Sequence, residues 1–427
     1  MKYSEHILFF ICVTTFTFCL SFSISYAQEN ETNSGQGCEV AEKVIIRLDK
    51  PSFGGRVVWR RMYGSTKNDE ALAVFALGNT VIGLNREESE ASNTTFTAFD
   101  RNGRLVRQSD LPISNIKAIR NIKVFGNRAY ILADRVDNTS TLSVVNEKGT
   151  LLQRKNFLEK GYKTSVTDII EGNGSTFYVV TSQKSTSRES SFSTLYKLSS
   201  KLDTIWKREI RTGSQTNINS LVMSNDGNLY LGGNMYSGSR NMALLTHFTK
   251  DGALDWQKPM PRGKAAEILA LNKDDKGRLF AIGKAIPLME GEQAVWVTLL
   301  DTQGDTLWER FIQSDSADLN AKELFIDSEG RIAVPIESES RSNARGYARI
   351  ILLNTRGDIT GEHVFSEGKG LLLTARPSLS EFGTSTVLIA TSENRTYETA
   401  TPEQAENKKD IWIAAIPELF KEENPCY

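Results

Sequence analysis

The sequence predicts an all-β chain: a seven-bladed β-propeller with four antiparallel strands per blade, the last blade closed by an N-terminal strand. Three observations predict it. The first is a spaced turn. "FTAFDRNGRLV", "SVVNEKGTLLQ", "LTHFTKDGALDW", "VTLLDTQGDTLW" and "ILLNTRGDI" each place a glycine (Gly103, Gly149, Gly252, Gly304, Gly357) three residues after an Asp, Asn or Thr that ends an apolar strand. The glycine intervals are 46, 103, 52 and 53 residues, and the 103 is two steps of about 51. The copy between stands at "YKLSSKLDTIW", with Leu202 in the glycine slot, and Trp206, Trp256 and Trp308 follow that slot by four. The second observation is a turn followed by a short apolar strand, recurring seven times: "GNTVIGLN", "GNRAYILAD", "NGSTFYVVTS", "DGNLYLGGN", "KGRLFAIGK", "EGRIAVPIE" and "GTSTVLIATS". The third is a mismatch at the ends. The last unit stops after its third strand, "DIWIAAIPEL", while "GGRVVWRRMYG" near the N-terminus carries Gly55 and Trp59 at the turn's own offset.

Each unit therefore runs strand, tight turn, strand, loop, strand, tight turn, strand. Glycine at the turn supplies the positive φ of a short hairpin. Alternating β-branched and aromatic residues suit a pleated, half-buried surface. Four strands every ~50 residues is a propeller period; solenoids repeat faster and sandwiches do not repeat. The strand over residues 57–62 is expected to be the outer strand of the last blade. "EKVIIRLD" before it alternates too and is expected to add an extra edge strand.

Residues 1–27 carry one early Lys, an apolar run over 7–24, and small residues at Ser25 and Ala27, the pattern of a signal peptide; an uncleaved anchor is the alternative. The domain reading is then a signal peptide over 1–27, an N-terminal tail with Cys38 over 28–42, and one propeller domain over 43–427. No membrane span is expected after signal removal, and the location is periplasmic or extracellular. Two cysteines remain, Cys38 and Cys426, and an even count in an exported chain reads as a disulfide. Ring closure would bring both to the same blade. Such a bridge closes a loop that in the chain-entropy model stabilises by roughly 5 to 6 kcal/mol.

"WRRMYGSTKNDEALAV", "DGNLYLGGN" and "LLDTQGDTLWERF" together resemble a broad group of secreted bacterial β-propeller repeat proteins. Their unit runs Trp-x-x-x-Tyr-Gly, Asp-x-Ala, Asp-Gly, then Leu-Asp-x-x-Gly-x-x-x-Trp. Trp59, Tyr63, Gly64, Asp69 and Ala71 give the full first motif, and other units keep turn glycines and some tryptophans. The resemblance implies an envelope or extracellular propeller and no single activity. The Asp301–Gly304–Trp308 turn is also similar to the tryptophan-docking repeat of quinone-cofactor dehydrogenases and, more loosely, to sialidase Asp-boxes. Both likenesses lie in structural turns and imply fold rather than chemistry.

A net charge of −1 and a pI of 6.4 argue against nucleic-acid binding, which draws on a basic surface. The histidines after residue 27, His247 and His363, lie within strands without an acid–base constellation around them, and read as structural or surface residues. There is no nucleophile elbow, haem site, zinc pattern or phosphate loop. The second-to-third and blade-to-blade loops are long and polar and share one face. Function on a repeat scaffold concentrates on such loops. Tyr63, Tyr236, Arg240 and Arg345 are the binding-face candidates, since aromatics and Arg dominate contact hot spots. Glu70, Asp168, Asn219, Glu267 and Glu323 are expected to ring the channel mouth. Converging carboxylates there suit a calcium ion or a cationic group, against the plainer reading that each bonds neighbouring backbone or faces water. The expected function is non-catalytic binding of a protein or glycan through the long-loop face. The alternative is a polysaccharide lyase or hydrolase with a Tyr/Arg/carboxylate site at the channel mouth.

Overall fold

The computed structural model describes residues 42–48, 57–63, 69–87, 94–287, 292–341, 346–365, 371–382, 385–394, 408–417 and 419–420. Its secondary structure is all β. The strands fall into consecutive antiparallel four-stranded meanders over residues 69–110, 116–157, 162–210, 215–260, 265–313 and 317–365, the first strand of the last being split in two. A seventh runs through 371–417 and takes its fourth strand from Trp59–Tyr63, which pairs antiparallel with Lys408–Pro417. The N-terminal strand thus supplies the member that the C-terminal unit lacks. Single parallel bridges, Ser191 to Gln215 and Asn241 to Ala265, stitch the third, fourth and fifth meanders together.

Side chains alternate across each strand, so the middle strands bury both faces. Phe177 and Val179 pack toward the second meander, while Tyr178 and Val180 pack toward the fourth. That is why these strands read as unbroken apolar runs. Every hydrophobic cluster of the core is shared by two successive meanders, and one joins the seventh to the first through Ile411, Ile413, Ala71, Val74 and Phe99. Side-chain packing makes this last connection; no backbone ladder among the described residues does.

"EKVIIRLD" does add an edge strand, but on the fifth meander. Glu42–Arg47 runs parallel to Thr306–Gln313, with Ile45 opposite Phe311. Thr306–Gln313 is buried from Trp308 to Gln313, whereas the fourth strands of the other meanders are largely exposed. An apolar fourth strand is a natural acceptor for the extra strand. The extra strand therefore belongs to the fifth meander and not to the closing one. Cys38, Cys426 and the segment over 1–27 lie outside the described residues.

The spaced turns weld neighbours together. Trp206, on the fourth strand of the third meander, lies against Gly252 in the turn of the fourth, where a Cβ would stand 2.5 Å from the ring. Trp256 lies in the same way on Gly304, Trp308 on Gly357, and Trp59 on Gly103. Trp59 Nε1 donates to Arg101 O at 2.9 Å and Trp308 Nε1 to Thr355 O at 3.2 Å. The Arg two residues on adds a second link: Arg61, Arg208 and Arg310 each donate from Nε to the carbonyl of the same glycine, at 2.9, 3.2 and 3.0 Å. Leu202, the one non-glycine in the series, takes φ +66° and is buried with Phe157 and Tyr196 beside it.

Gly252→Ala combines the clash with Trp206 and a φ of +79° that L side chains avoid. It is expected to lower stability by about 1–3 kcal/mol, read as a shift of the urea midpoint at constant m-value. A shift indistinguishable from zero would mean that the ring does not rest on this turn.

Candidate functional site

The first strands of the first five meanders share a local irregularity. Their pairing register skips a residue at Leu72, Arg120, Thr167, Asn219 and Leu269, with a second skip at Lys117 in the second meander. Such a bulge frees backbone groups that need new partners. In the second, third and fourth meanders the residue just after it provides them. Asp168, 1% exposed, accepts from Asn121 Nδ2 of the second meander and from the Ile169 amide, both at 2.9 Å. Its second oxygen accepts from Ser220 Oγ and the Leu221 amide of the fourth meander, again at 2.9 Å. Ser220 Oγ then accepts from the Leu271 amide of the fifth, at 3.1 Å. Asn121, Asp168 and Ser220 occupy equivalent positions and form a hydrogen-bonded belt across four meanders. Hydroxyls on third strands extend it: Ser140 accepts from the Val166 amide and Ser193 from the Ile218 amide, at 2.9 and 2.8 Å.

The other expected channel-mouth residues are also engaged by protein groups. Glu267 accepts from Asn219 Nδ2 at 2.9 Å, and the same nitrogen donates to Ile268 O at 2.8 Å. Glu70 pairs with Arg86, whose other nitrogen donates to Lys117 O of the second meander at 2.8 Å. Glu323 is half-buried between two short strands and has a partner within the protein. Asp168, Asn219 and Glu267 bind successive meanders to one another, and Glu70 is held by Arg86 of its own meander. Among the described residues no three His, Cys, Asp or Glu side chains gather as a metal site.

The binding-face candidates separate. Tyr63 lies against Phe99, ring centroids 5.2 Å apart, with its hydroxyl buried and no described hydrogen-bond partner. Burial, and after it the Asp69 carboxylate, pushes its phenol pKa far up. Tyr63 is thus a packing residue of the seventh-to-first junction. Tyr236 and Arg240 stay together at the Leu229–Ser237 to Arg240–Phe248 hairpin, half-buried and exposed respectively. Arg345 lies outside the described residues.

Beside Tyr236 the structure adds residues that sequence reading missed. Ladder register aligns Gln183 with Phe192, Ser191 with Gln215, and Gln215 with Tyr236. Tyr162 packs edge-on to Phe192 at 5.1 Å, and the Arg211 guanidinium lies 3.8 Å over the Phe192 ring. Arg211 Nε also donates to Glu209 at 3.0 Å. The loop after Arg211 is pinned to the next meander, where the Ser214 amide donates to Tyr236 O at 2.9 Å. Tyr162 and Arg211 thus cover the buried Phe192 at strand ends of the third meander, and Tyr236 and Arg240 flank the two-residue Gly238–Ser239 turn at the same end of the fourth. Both histidines are tied up elsewhere. His247 stacks on Trp256 at 5.2 Å with Nδ1 2.9 Å from Asp255, and His363 faces Phe365.

No family model matches the chain, and no curated protein sequence does. Solved structures similar to it include a puromycin hydrolase S511A mutant complexed with PGG, at 12% identity and a TM-score of 0.49, covering 75% of this chain and 50% of that one. The β-propeller domain of the Trilobed protease from Pyrococcus furiosus is similar at 10% identity and a TM-score of 0.49, covering 82% and 96%. The WD40 domain of Toxoplasma gondii coronin is similar at 10% identity and a TM-score of 0.46, covering 87% and 89%. The chain spans about half the length of the puromycin hydrolase. At this level of similarity none of them transfers an activity or a binding site.

Asp168→Ala leaves four donors without their acceptor and is expected to cost roughly 2–4 kcal/mol, with calcium leaving the melting temperature of the wild type unchanged. A melting temperature that rises and saturates with calcium would restore the cation reading. For Tyr63 the neutral phenol is the favoured folded form. Its contribution is therefore complete below the unfolded phenol's pKa of about 10 and is lost as pH rises beyond it. Tyr63→Phe is expected to be near-neutral at pH 7 and to hold more stability than wild type above pH ~10; parallel alkaline titrations of the two proteins would refute this.

Proposed function

We propose that the chain is an exported binding module: its seven meanders act as the blades of one seven-bladed β-propeller, and it engages a protein or glycan partner through the long-loop face. The observation that carries the reading is the group Tyr162, Arg211, Tyr236 and Arg240 on neighbouring strand ends, the first two packed on the buried Phe192. Rigid aromatic rings and a guanidinium lose little entropy on contact, and such residues dominate binding hot spots. Here strand ends and a ring–cation stack hold them before any partner arrives. Of the carboxylates a lyase or hydrolase site would draw on, Asp168 and Glu267 accept hydrogen bonds from neighbouring meanders and Glu70 is paired with Arg86.

The proposed location is periplasmic or extracellular, and rests on the 1–27 segment and the cysteine count. Cys38 and Cys426 are proposed to pair. A non-reducing digest of the purified protein is then expected to yield one peptide joining them; two free thiols would contradict the pairing.

A photoreactive phenylalanine analogue at position 240 is expected to crosslink one discrete partner in the cell envelope or medium, lost on Arg211→Ala with Tyr236→Ala. The same analogue at position 104, in a tight turn, serves as the control. Crosslinking from 104 alone, or none from 240, would overturn the long-loop face as the binding surface.

A further inference from the structure

The docking series is incomplete: the residue four after the turn glycine is Arg107, Gln153 and Gly361 at three junctions, and the first of these borders a cleft. At four junctions an indole from the fourth strand of one meander lies on the turn glycine of the next. At the junction of the first and second meanders the glycine is present, as Gly149, but the strand residue four after Gly103 is Arg107. A Cβ on Gly149 would meet nothing closer than Phe96, at 3.5 Å, an ordinary contact. The cross-strand rows show how the space arises. In the third, fourth and fifth meanders the row leading to the tryptophan is Tyr178–Lys197–Trp206, Tyr230–His247–Trp256 and Phe280–Leu299–Trp308. In the first meander it is Ile82–Ala98–Arg107. Three positions lose volume or planarity together, and a cleft of about 360 Å³ opens there, bordered by Ala98, Val106, Arg107, Asn79, Glu147 and Lys148.

The cleft keeps the acceptor of its filled counterparts. Elsewhere the carbonyl two residues before the turn glycine receives a hydrogen bond from an aromatic side chain: Arg101 O from Trp59, Thr355 O from Trp308, Lys250 O from Tyr178 and Thr302 O from Tyr230, at 2.8–3.3 Å. The residue at that position here is Glu147. Beside it runs Leu105–Asp110, paired among the described residues with Thr94–Phe99 alone, with Leu105 and Val106 58% and 55% exposed. The molecule itself shows that a fourth strand can take an added strand, because Glu42–Arg47 lies along Thr306–Gln313.

We infer that this cleft is a vacant tryptophan-docking slot, and that it receives an indole side chain carried by an extended segment of a partner polypeptide laid along Leu105–Asp110. None of the chain's own tryptophans fills the slot. The chain has six tryptophans: four dock on turn glycines, and Trp296 and Trp412 are buried in the core. Strand addition supplies main-chain hydrogen bonds, and the seated ring supplies specificity. This site lies at the tight-turn end and stands independently of the long-loop face.

The probe is a capped, fluorescein-labelled peptide with the sequence of residues 203–210, the chain's own docking strand, titrated into the purified full chain. Saturable anisotropy is expected, weakened at least tenfold when the peptide's Trp is replaced by Ala. Arg107→Trp and Ala98→Leu, which rebuild the filled rows, are each expected to abolish it, with Arg107→Trp also raising the melting temperature. Far-UV circular dichroism checks that each variant folds, and the two variants stand in for one another if one does not. No saturable binding, equal binding of the Trp→Ala peptide, or unchanged binding by the filled variants would overturn the inference. Displacement by free N-acetyltryptophanamide at the peptide's own concentration would overturn the polypeptide assignment in favour of a small-molecule pocket.

Discussion

The structure depends on a tryptophan ring lying against a glycine that belongs to the next meander. The contact is possible only because that glycine has no Cβ: at Gly103, Gly252 and Gly304 an added carbon would fall within 2.7 Å of the ring. One residue type thus serves two constraints, since the same turn needs a positive φ. The Arg two residues after the ring donates to the glycine carbonyl and stacks near its own indole, at 5.2 Å for both Arg208 and Arg310. The period near 50 residues is the chain length needed to return from one such contact to the next. A meander such as the fourth contains one half of each of two joints, Gly252 and Trp256, and its neighbours complete both.

A second set of joints lies toward the first strands, where the tryptophans do not reach. There a bulge in each strand leaves amides unpaired in the ladder, and Asp168 and Ser220 satisfy amides of the following meander. A buried carboxylate with four donors is a stable arrangement, and it is costly to disturb. The same accounting covers two of the acidic residues on the first strands: the oxygens of Asp168 and Glu267 accept from donors of neighbouring meanders.

Much of the fold was legible because turn glycines and tryptophans are fixed by steric demands that few residues meet. The Gly55–Trp59 offset identified the strand that completes the C-terminal unit, and the register of Trp59–Tyr63 on Lys408–Pro417 agrees. The destination of Glu42–Arg47 was not legible, because alternation marks an edge strand without saying which edge accepts it. The acceptor's signal was the apolar character of Thr306–Gln313. Trp-x-Arg, present at 59/61, 206/208 and 308/310, was visible in the sequence as a pattern whose meaning needed the carbonyl across the junction. The bulges were invisible. Leu72, Arg120, Thr167, Asn219 and Leu269 share no chemistry, since a bulge is defined by backbone pairing. The cluster on Phe192 was hidden for a related reason: Tyr162, Phe192 and Arg211 are far apart in sequence and meet only through strand packing.

Hydrogen exchange, read by mass spectrometry on Trp206→Ala, tests the central joint most directly. In the wild type the turn of the fourth meander is closed by the Gly252 amide on Thr249 O and the Thr249 amide on Ala253 O, at 2.8 and 2.9 Å. If the ring from the third meander holds that turn, exchange rises over residues 249–253 as much as around the mutated position. Faster exchange confined to residues 201–210, with the turn at 249–253 as protected as before, would contradict the account.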